Sequence, residues 1–417
     1  MTTTALTGRT AEAGRRGPDV RSDCWVQISP TSSGGLNLQI KTKVEVMYGE
    51  ATRRLVADVL TTLGVQHATV EMDDSGALPF VQMARIEAAV RRLHGPDGTS
   101  VSAVPEYLPE FAAHAQYPTE RDRFRRSRLY LPGNEPKFML NAGLHGPDGV
   151  ILDLEDSVAP PMKDEARLMV RNALRCIDFK GAERMVRINQ GERGLIDLDY
   201  IVPQNVHVIL IPKVEDPEHV RQVDARIDEI LKRGAAGGTG VSPVNRRRPF
   251  LMLIVESALG AIKAYEIATA SKNLCALTIG LEDYTADLGT QRTNEGRESF
   301  WARCQVVNAA RAAGVQPIDT VFSDVADMDG LRASVLEAKG LGFDGKGCIH
   351  PRQIRVIHEA FAPSPPELEK AQKIVAAFKE AEAKGLGVVS LGSKMIDPPV
   401  VKRALRTVRL AEALGLT

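Results

Sequence analysis

The sequence predicts an α/β protein, an eight-stranded (β/α)8 barrel preceded by a small two-layer α/β domain. From residue 124 onward, eight strand-like apolar runs alternate with amphipathic helical stretches, and parallel strands of that kind need helical crossovers to cover them. A doubly wound open sheet shares the alternation, but eight repeats without a Gly-rich dinucleotide fingerprint favour the closed form. Upstream, HGPDGTSVSAVPEYLP is dense in Gly, Pro and Ser and separates two regions of different rhythm, so it reads as a linker.

The elements follow in order. Residues 1–20 are rich in Thr, Gly and Arg, lack an apolar run, and read as a flexible arm. In the module over 21–94, LNLQIKT and ATVEMDD read as strands. EVMYGEATRRLVADVLTTLG, ended by Gly64, and VQMARIEAAVRRL carry helical spacing. The linker takes 95–123 and the barrel 124–362. Its expected strands are RLYLP (128–132), GVILD (149–153), RMVRIN (184–189), VHVILIP (206–212), FLMLIVE (250–256), LCALTIG (274–280), PIDTVF (317–322) and KGCIHP (346–351). Stretches such as MKDEARLMVRNALR and SALGAIKAYEIATA supply helices between them, the third of which must be short.

Composition excludes several function classes. Lys+Arg and Asp+Glu balance at 53 each, so no global field selects nucleic acid or a membrane surface, and no apolar run is long enough to cross a bilayer. Five cysteines without a C-x-x-C pair argue against a zinc cluster and a disulfide framework, which fits a reducing cytoplasm.

In such a barrel the active site lies at the C-terminal ends of the strands. Those ends carry Asp153, Glu155 and Asp156, then Arg187 and Asn189, Lys213, Glu256, Glu282 with Asp283, and His350. Three acids within four positions repel one another unless something positive gathers there. Glu256 and Asp283 stand one βα unit apart and can converge on a hard divalent ion; oxygen ligands suit Mg2+ better than zinc. Arg187 can grip a carboxylate or carbonyl oxygen with two prongs, and Lys213 can balance the acids. Blander roles exist: Asp156 with Lys163 as a helix-entry acid and a surface pair, Asp153 as a cap, His350 as a hydrogen-bonded structural histidine, and Arg246–Arg248 as a solvated loop.

The motifs RSRLYLPGNEP, GVILDLEDSVAPPMKDEAR, VRIN, IPKVE, LIVESALGAIKAYEIA, GLEDYTADLG, GFDGKGCIHPRQI and GSKMIDPPVVKRA span residues 124–412. Together they resemble the citrate lyase β-subunit family, which includes malyl-CoA and citramalyl-CoA lyases. The resemblance implies Mg2+ on Glu256 and Asp283, with Arg187, Glu155 and Asp156 catalytic. It implies substrate contacts from Arg126, Pro132, Asn189, Lys213 and His350. It also implies a C-terminal helical lid over 363–417 carrying the catalytic Asp397, often supplied by a neighbouring subunit of a trimer or hexamer. The implied reaction cleaves or forms a citryl or related 3-hydroxy-dicarboxylyl thioester.

SSGGLNLQIKTKVEVMYGE and VEMDDSGALPFVQMARIEAAVRR resemble the citrate lyase γ-subunit, an acyl carrier with a CoA-derived arm on a serine. In VRSDCWVQISP the expected position falls on Arg21, with Ser22 one place away. The implied partners are an acyl thioester, on the carrier or on CoA, and a citrate lyase α-subunit. Two alternatives stay open: a malyl- or citramalyl-CoA lyase with a retained carrier domain lacking its arm, and a non-catalytic thioester-binding or assembly protein.

Overall fold

The computed structural model describes residues 6–95, 104–236, 247–383, 389–391 and 394–416. The start of the expected arm, part of the expected linker, Arg246 and the Gly392–Ser393 step of the lid motif lie outside the described residues.

The eight expected runs all form strands. β5 (Ser127–Pro132), β6 (Gly149–Asp153), β7 (Glu183–Arg187), β8 (Val208–Ile211), β9 (Phe250–Val255), β10 (Leu274–Ile279), β11 (Gln316–Asp319) and β12 (Gly345–Cys348) belong to one closed barrel, with parallel pairing between neighbours. Their near-continuous apolar character follows from being covered on both faces. Ile151, Met185, Val208, Leu210, Met252, Ile254 and Ile318 form an apolar lumen core separate from the layer under the helices. The short third helix is Gly191–Ile201. β7 and β11 stop earlier than expected, so Asn189 and Thr320–Phe322 lie in loops at the strand ends.

Four further strands build the N-terminal sheet: β1 (Ala11–Gly14), β2 (Cys24–Pro30), β3 (Leu36–Thr42) and β4 (Ala68–Asp74), in the order β1-β2-β4-β3. β1 corrects the expectation of a flexible arm through residue 20. AEAG has no strand signature of its own, but it pairs antiparallel with β2, and the Gly14 N–H donates to Glu165 Oε2 at 2.7 Å. Helices α1 (Glu45–Thr62) and α2 (Pro79–His94) complete the module.

α2 is buried almost all round, because the sheet covers one side and the barrel helix Lys163–Cys176 the other. Ion pairs cross that seam. Arg85 grips Asp23 with Nε at 3.0 Å and Nη2 at 2.9 Å, reaches Glu165 at 3.1 Å, and donates to the Asn134 carbonyl at 3.0 Å. Arg171 holds Glu87 at 2.6 and 3.0 Å, and Arg92 holds Asp164 at 2.8 and 2.9 Å. The apolar core runs without a break from the module into the barrel's outer layer. The expected linker is pinned as well where described: Arg175 donates to the Pro109 carbonyl at 2.6 Å.

At the C-terminus, helices Pro365–Ala383 and Pro398–Ala413 pack around Ala371, Ile374, Val375, Val401 and Ala404. β13 (Val389–Leu391) and β14 (Lys394–Ile396) pair between them. No helix among the described residues is long and apolar enough to cross a membrane.

Candidate active site

The C-terminal strand ends meet around a cavity of about 300 Å³ that takes in Asp153, Asp156, Arg187, Glu256, Asp283 and Arg128. Glu256 directly follows β9 and is 5% exposed. It shares the cavity with Asp283, and both carboxyl groups face Lys213, whose N–H reaches Glu256 and whose Nζ reaches Asp283, so the structure brings the two expected metal ligands to one place. Gly280 makes room for them, since a Cβ there would sit 2.8 Å from Glu256 Cγ and Oε2.

Two acids gathered in one cavity need positive charge. Burial first, then the Asp283 carboxyl, pushes Glu256 up to about 8, against the opposing pull of Arg187 and the Lys213 N–H. Lys213 supplies one cation, its Nζ 3.4 Å from Asp283 and 3.6 Å from Asp156. It adopts a left-handed conformation, φ 49°, which costs about 1–3 kcal/mol in a residue with a side chain; the same turn aims its N–H at Glu256 Oε1, 3.2 Å away. Among the described residues no group of three or more His, Cys, Asp or Glu forms a cation cage. The pair nevertheless fits Mg2+, which commonly takes one or two carboxylates and fills its other places with water and substrate oxygens.

The proton on Glu256 sets a pH dependence. Its folded value lies above the ordinary carboxylate value, so its contribution to stability is fully present below that ordinary value and is lost as pH rises towards 8. Mg2+ held by Glu256 would displace the same proton. Apparent Mg2+ affinity is therefore expected to rise by about tenfold per pH unit between roughly pH 6 and 8 and then level off. Calorimetry in buffers of different ionisation heat measures the released proton, and an affinity flat across that range would exclude the pairing.

Arg187 is held more tightly than its sequence position suggests. Nε and Nη2 form a two-pronged bond to Asp153 at 2.6 and 2.7 Å, and Nη1 lies 2.9 Å from Glu155. The fork expected to grip substrate is thus spent on Asp153, which leaves the two Nη1 N–H groups beside Glu155 and one on Nη2 for a ligand. Asp153 also accepts the N–H groups of Glu155 and Ser157 at 3.0 and 3.1 Å. Burial opposes its charge, but Arg187 and these donors outweigh it and hold the carboxyl below the ordinary range. Glu155 accepts from Gln190 at 2.7 Å. Asp156, 52% exposed, stands 3.8 Å from Arg187.

Other expected residues are placed differently. Arg126 precedes β5 at the opposite end of the barrel, bound by Nε and Nη2 to Asp148 at 2.9 and 2.8 Å; it is a structural anchor and does not reach the mouth. His350 caps the helix Pro351–Phe361, its Nδ1 accepting the Arg352 N–H at 3.2 Å, and does not line the cavity. Asn189 is buried and turned inward, bonded to Asp197 at 2.8 Å. Pro132 closes β5 at the rim, outside the cavity lining. Asp397 begins the last helix, exposed and away from its own chain's cavity. Lys163 is no surface pair: its Nζ donates to the Leu154 and Glu155 carbonyls at 3.1 and 2.8 Å and to Asn189 Oδ1, fixing the acidic loop. Among the lining residues that the sequence did not single out are Arg128 and Tyr130, the latter stacked 5.4 Å from the Arg187 guanidinium. Their alternation in RLYLP was the available signal.

Residues 126–351, more than half of the chain, match the family model described as HpcH/HpaI aldolase/citrate lyase. The chain belongs to the HpcH/HpaI aldolase/citrate lyase family. Within it the chain is citrate lyase β-like, a carbon–carbon lyase. Citrate lyase subunit beta of Haemophilus influenzae is 42% identical over 284 residues, 68% of this chain and 95% of that relative. Mitochondrial citramalyl-CoA lyase of Mus musculus is 35% identical over 302 residues, 70% of this chain and 87% of that relative. The crystal structure of CitE from Mycobacterium tuberculosis in complex with magnesium, acetoacetate and coenzyme A is 28% identical, with a TM-score of 0.55 over 70% of this chain and all 100% of the other. Residues 13–93 match the model described as malonate decarboxylase delta subunit (MdcD), an acyl-carrier type. That match begins before β2 and takes in the end of β1.

Proposed function

We propose that the protein is a Mg2+-dependent lyase, or reversible synthase, acting on a citryl or related 3-hydroxy-dicarboxylyl thioester to give an acetyl thioester and a keto acid. The observation that carries this reading is the convergence of the buried Glu256 and of Asp283 on one cavity with Arg187, both carboxyl groups facing Lys213. Glu256 and Asp283 would hold the ion, which would supply Lewis-acid charge to the keto-acid half. Asp156, on the rim, takes the hydroxyl proton. The C–C electron pair passes to the departing acetyl unit, and the unspent N–H groups of Arg187 meet the charge that develops at the thioester oxygen. Glu155 keeps Arg187 oriented. No covalent nucleophile is needed.

Asp397 delivers the proton to the acetyl carbon from a neighbouring subunit. Two features support this. The last helix is tied by Arg406 to Asp344, which precedes β12 on the side away from the mouth. Leu259, Ile262, Tyr265, Phe300 and Trp301 are large, apolar and exposed on helices that pack together, a surface suited to a second copy of the chain.

The docked module favours a thioester on free CoA. Ser22 sits in a left-handed turn, φ 56°, its N–H bonded to the Ser75 carbonyl at 3.1 Å and followed by the Arg85-bound Asp23. Citryl-, malyl- and citramalyl-CoA are offered to the purified protein, with Mg2+ and with chelator. Keto-acid release is expected with Mg2+ alone and fastest from citryl-CoA, together with an intact mass equal to the bare polypeptide. Release that survives chelation defeats the metal reading. Inertness towards all three favours the non-catalytic alternative, and added mass on Ser22 restores the loaded carrier.

A further inference from the structure

One cation in the barrel lumen has no ion-pair partner among the described residues. Arg128, second residue of β5, is 1% exposed yet lines the same cavity as Glu256 and Asp283. Its donors meet poor acceptors: Nη1 points at Met252 Sδ, 3.0 Å away, and Nη2 reaches Thr278 Oγ1 at 3.3 Å and the Asp319 carbonyl at 3.4 Å. Its Nε has no partner among the described residues. Of the equally buried arginines, Arg85, Arg125 and Arg171 each hold a carboxylate, and Arg184, which is bonded to the Leu174 carbonyl and His207 instead, does not line this cavity. The Asp319 carboxylate cannot serve, because Lys346 takes it at 2.7 Å and Arg303 at 3.2 Å. Burial depresses the Arg128 pKa below the ordinary guanidinium value, as expected of a cation left without an anion.

A desolvated guanidinium facing a cavity is a built anion site, because a ligand carboxylate there replaces no existing ion pair. The rim cations are already engaged: Arg187 by Asp153 and Glu155, Lys213 by Asp156 and Asp283. Any second anionic group of a substrate whose reacting end lies at Glu256 and Asp283 therefore finds its open partner deeper in the lumen. We infer that Arg128 is a specificity-determining residue that takes the distal carboxylate of a dicarboxylic keto-acid half. This rests on the lyase reading of the mouth. A monocarboxylic keto acid leaves Arg128 buried and unpaired, and a site built to bind a polar group rejects the analogue lacking it far more strongly than an apolar pocket rejects a size change.

The test compares wild type with Arg128→Met, which keeps the bulk and removes the charge, and with Arg128→Lys, which keeps the charge and loses the planar fork. Condensation of acetyl-CoA with oxaloacetate, pyruvate and glyoxylate is followed under saturating Mg2+. In wild type the dicarboxylate is expected to lead in kcat/KM by about 10²-fold. Arg128→Met brings that ratio to within about threefold of unity, and Arg128→Lys restores part of it. A ratio unchanged in Arg128→Met overturns the inference, as does an equal loss for all three acids.

A second arm does not depend on turnover. In metal-free protein, malonate is expected to raise Tm more than acetate does, and the difference should vanish in Arg128→Met. If no acid is turned over but malonate stabilisation still requires Arg128, the lyase reading falls and the anion site stands. If turnover requires Mg2+ but the malonate effect survives Arg128→Met, Arg128 alone is excluded. Should Arg128→Met fail to fold, Arg128→Lys decides: a dicarboxylate preference kept in full at this fork-less position overturns the claim, and a partial loss supports it.

Discussion

Glu256→Gln and Asp283→Asn are each expected to lower Mg2+-dependent keto-acid release by on the order of 10³-fold or more, the scale seen when preorganised charge stabilisation is removed. Both substitutions conserve shape, so Gly280 still seats the side chain at 256 and the barrel stays folded. An amide offers a hard cation one neutral oxygen in place of a carboxylate. Glu256→Gln also removes the group that burial and Asp283 push up to about 8, so the pH dependence of Mg2+ affinity should flatten in this variant alone. Turnover and Mg2+ titration of the two proteins check the claim, and wild-type rates in both would remove the metal from the mechanism.

The fold was legible because the barrel strands are covered on both faces, and sequences such as VILD, VILI and FLMLIV leave little other use for so much apolar surface. β1 was not, because AEAG is held by pairing with β2 and by Glu165, 151 positions away. At the mouth, Arg187, Lys213, Glu256 and Asp283 were legible because a strand end in such a barrel is a definite place. Depth was harder. Arg126 and Arg128 share one strand parity, yet the former anchors Asp148 below the strand and the latter faces the cavity. Lys163 was hidden for another reason. Its partners are two main-chain carbonyls and a loop asparagine, and no spacing rule announces those contacts.

Glu87→Ala is expected to cost about 3–5 kcal/mol of stability, the range for stripping one partner from a buried ion pair. Glu87 and Arg171 are both fully buried, and Arg91 reaches the same carboxylate at 2.9 Å. Once it is removed, the charged neighbours of Arg171 reduce to Glu106, 3.4 Å away and 47% exposed. Burial works against the Glu87 charge, but the two arginines hold its carboxyl below the ordinary range, so the anion is the state the seam requires. Because the apolar core continues from α2 into the barrel layer, the loss should appear as one shifted denaturation transition. Replacing Arg171 by Met in the Glu87→Ala background should recover much of it, since the penalty lies in the orphaned cation. A shift under about 1 kcal/mol, or a second transition belonging to residues 11–94 alone, would mean that the carrier-like module undocks freely. In that case a thioester on the carrier would be favoured over one on free CoA, because a module that swings is one that can deliver a bound acyl group.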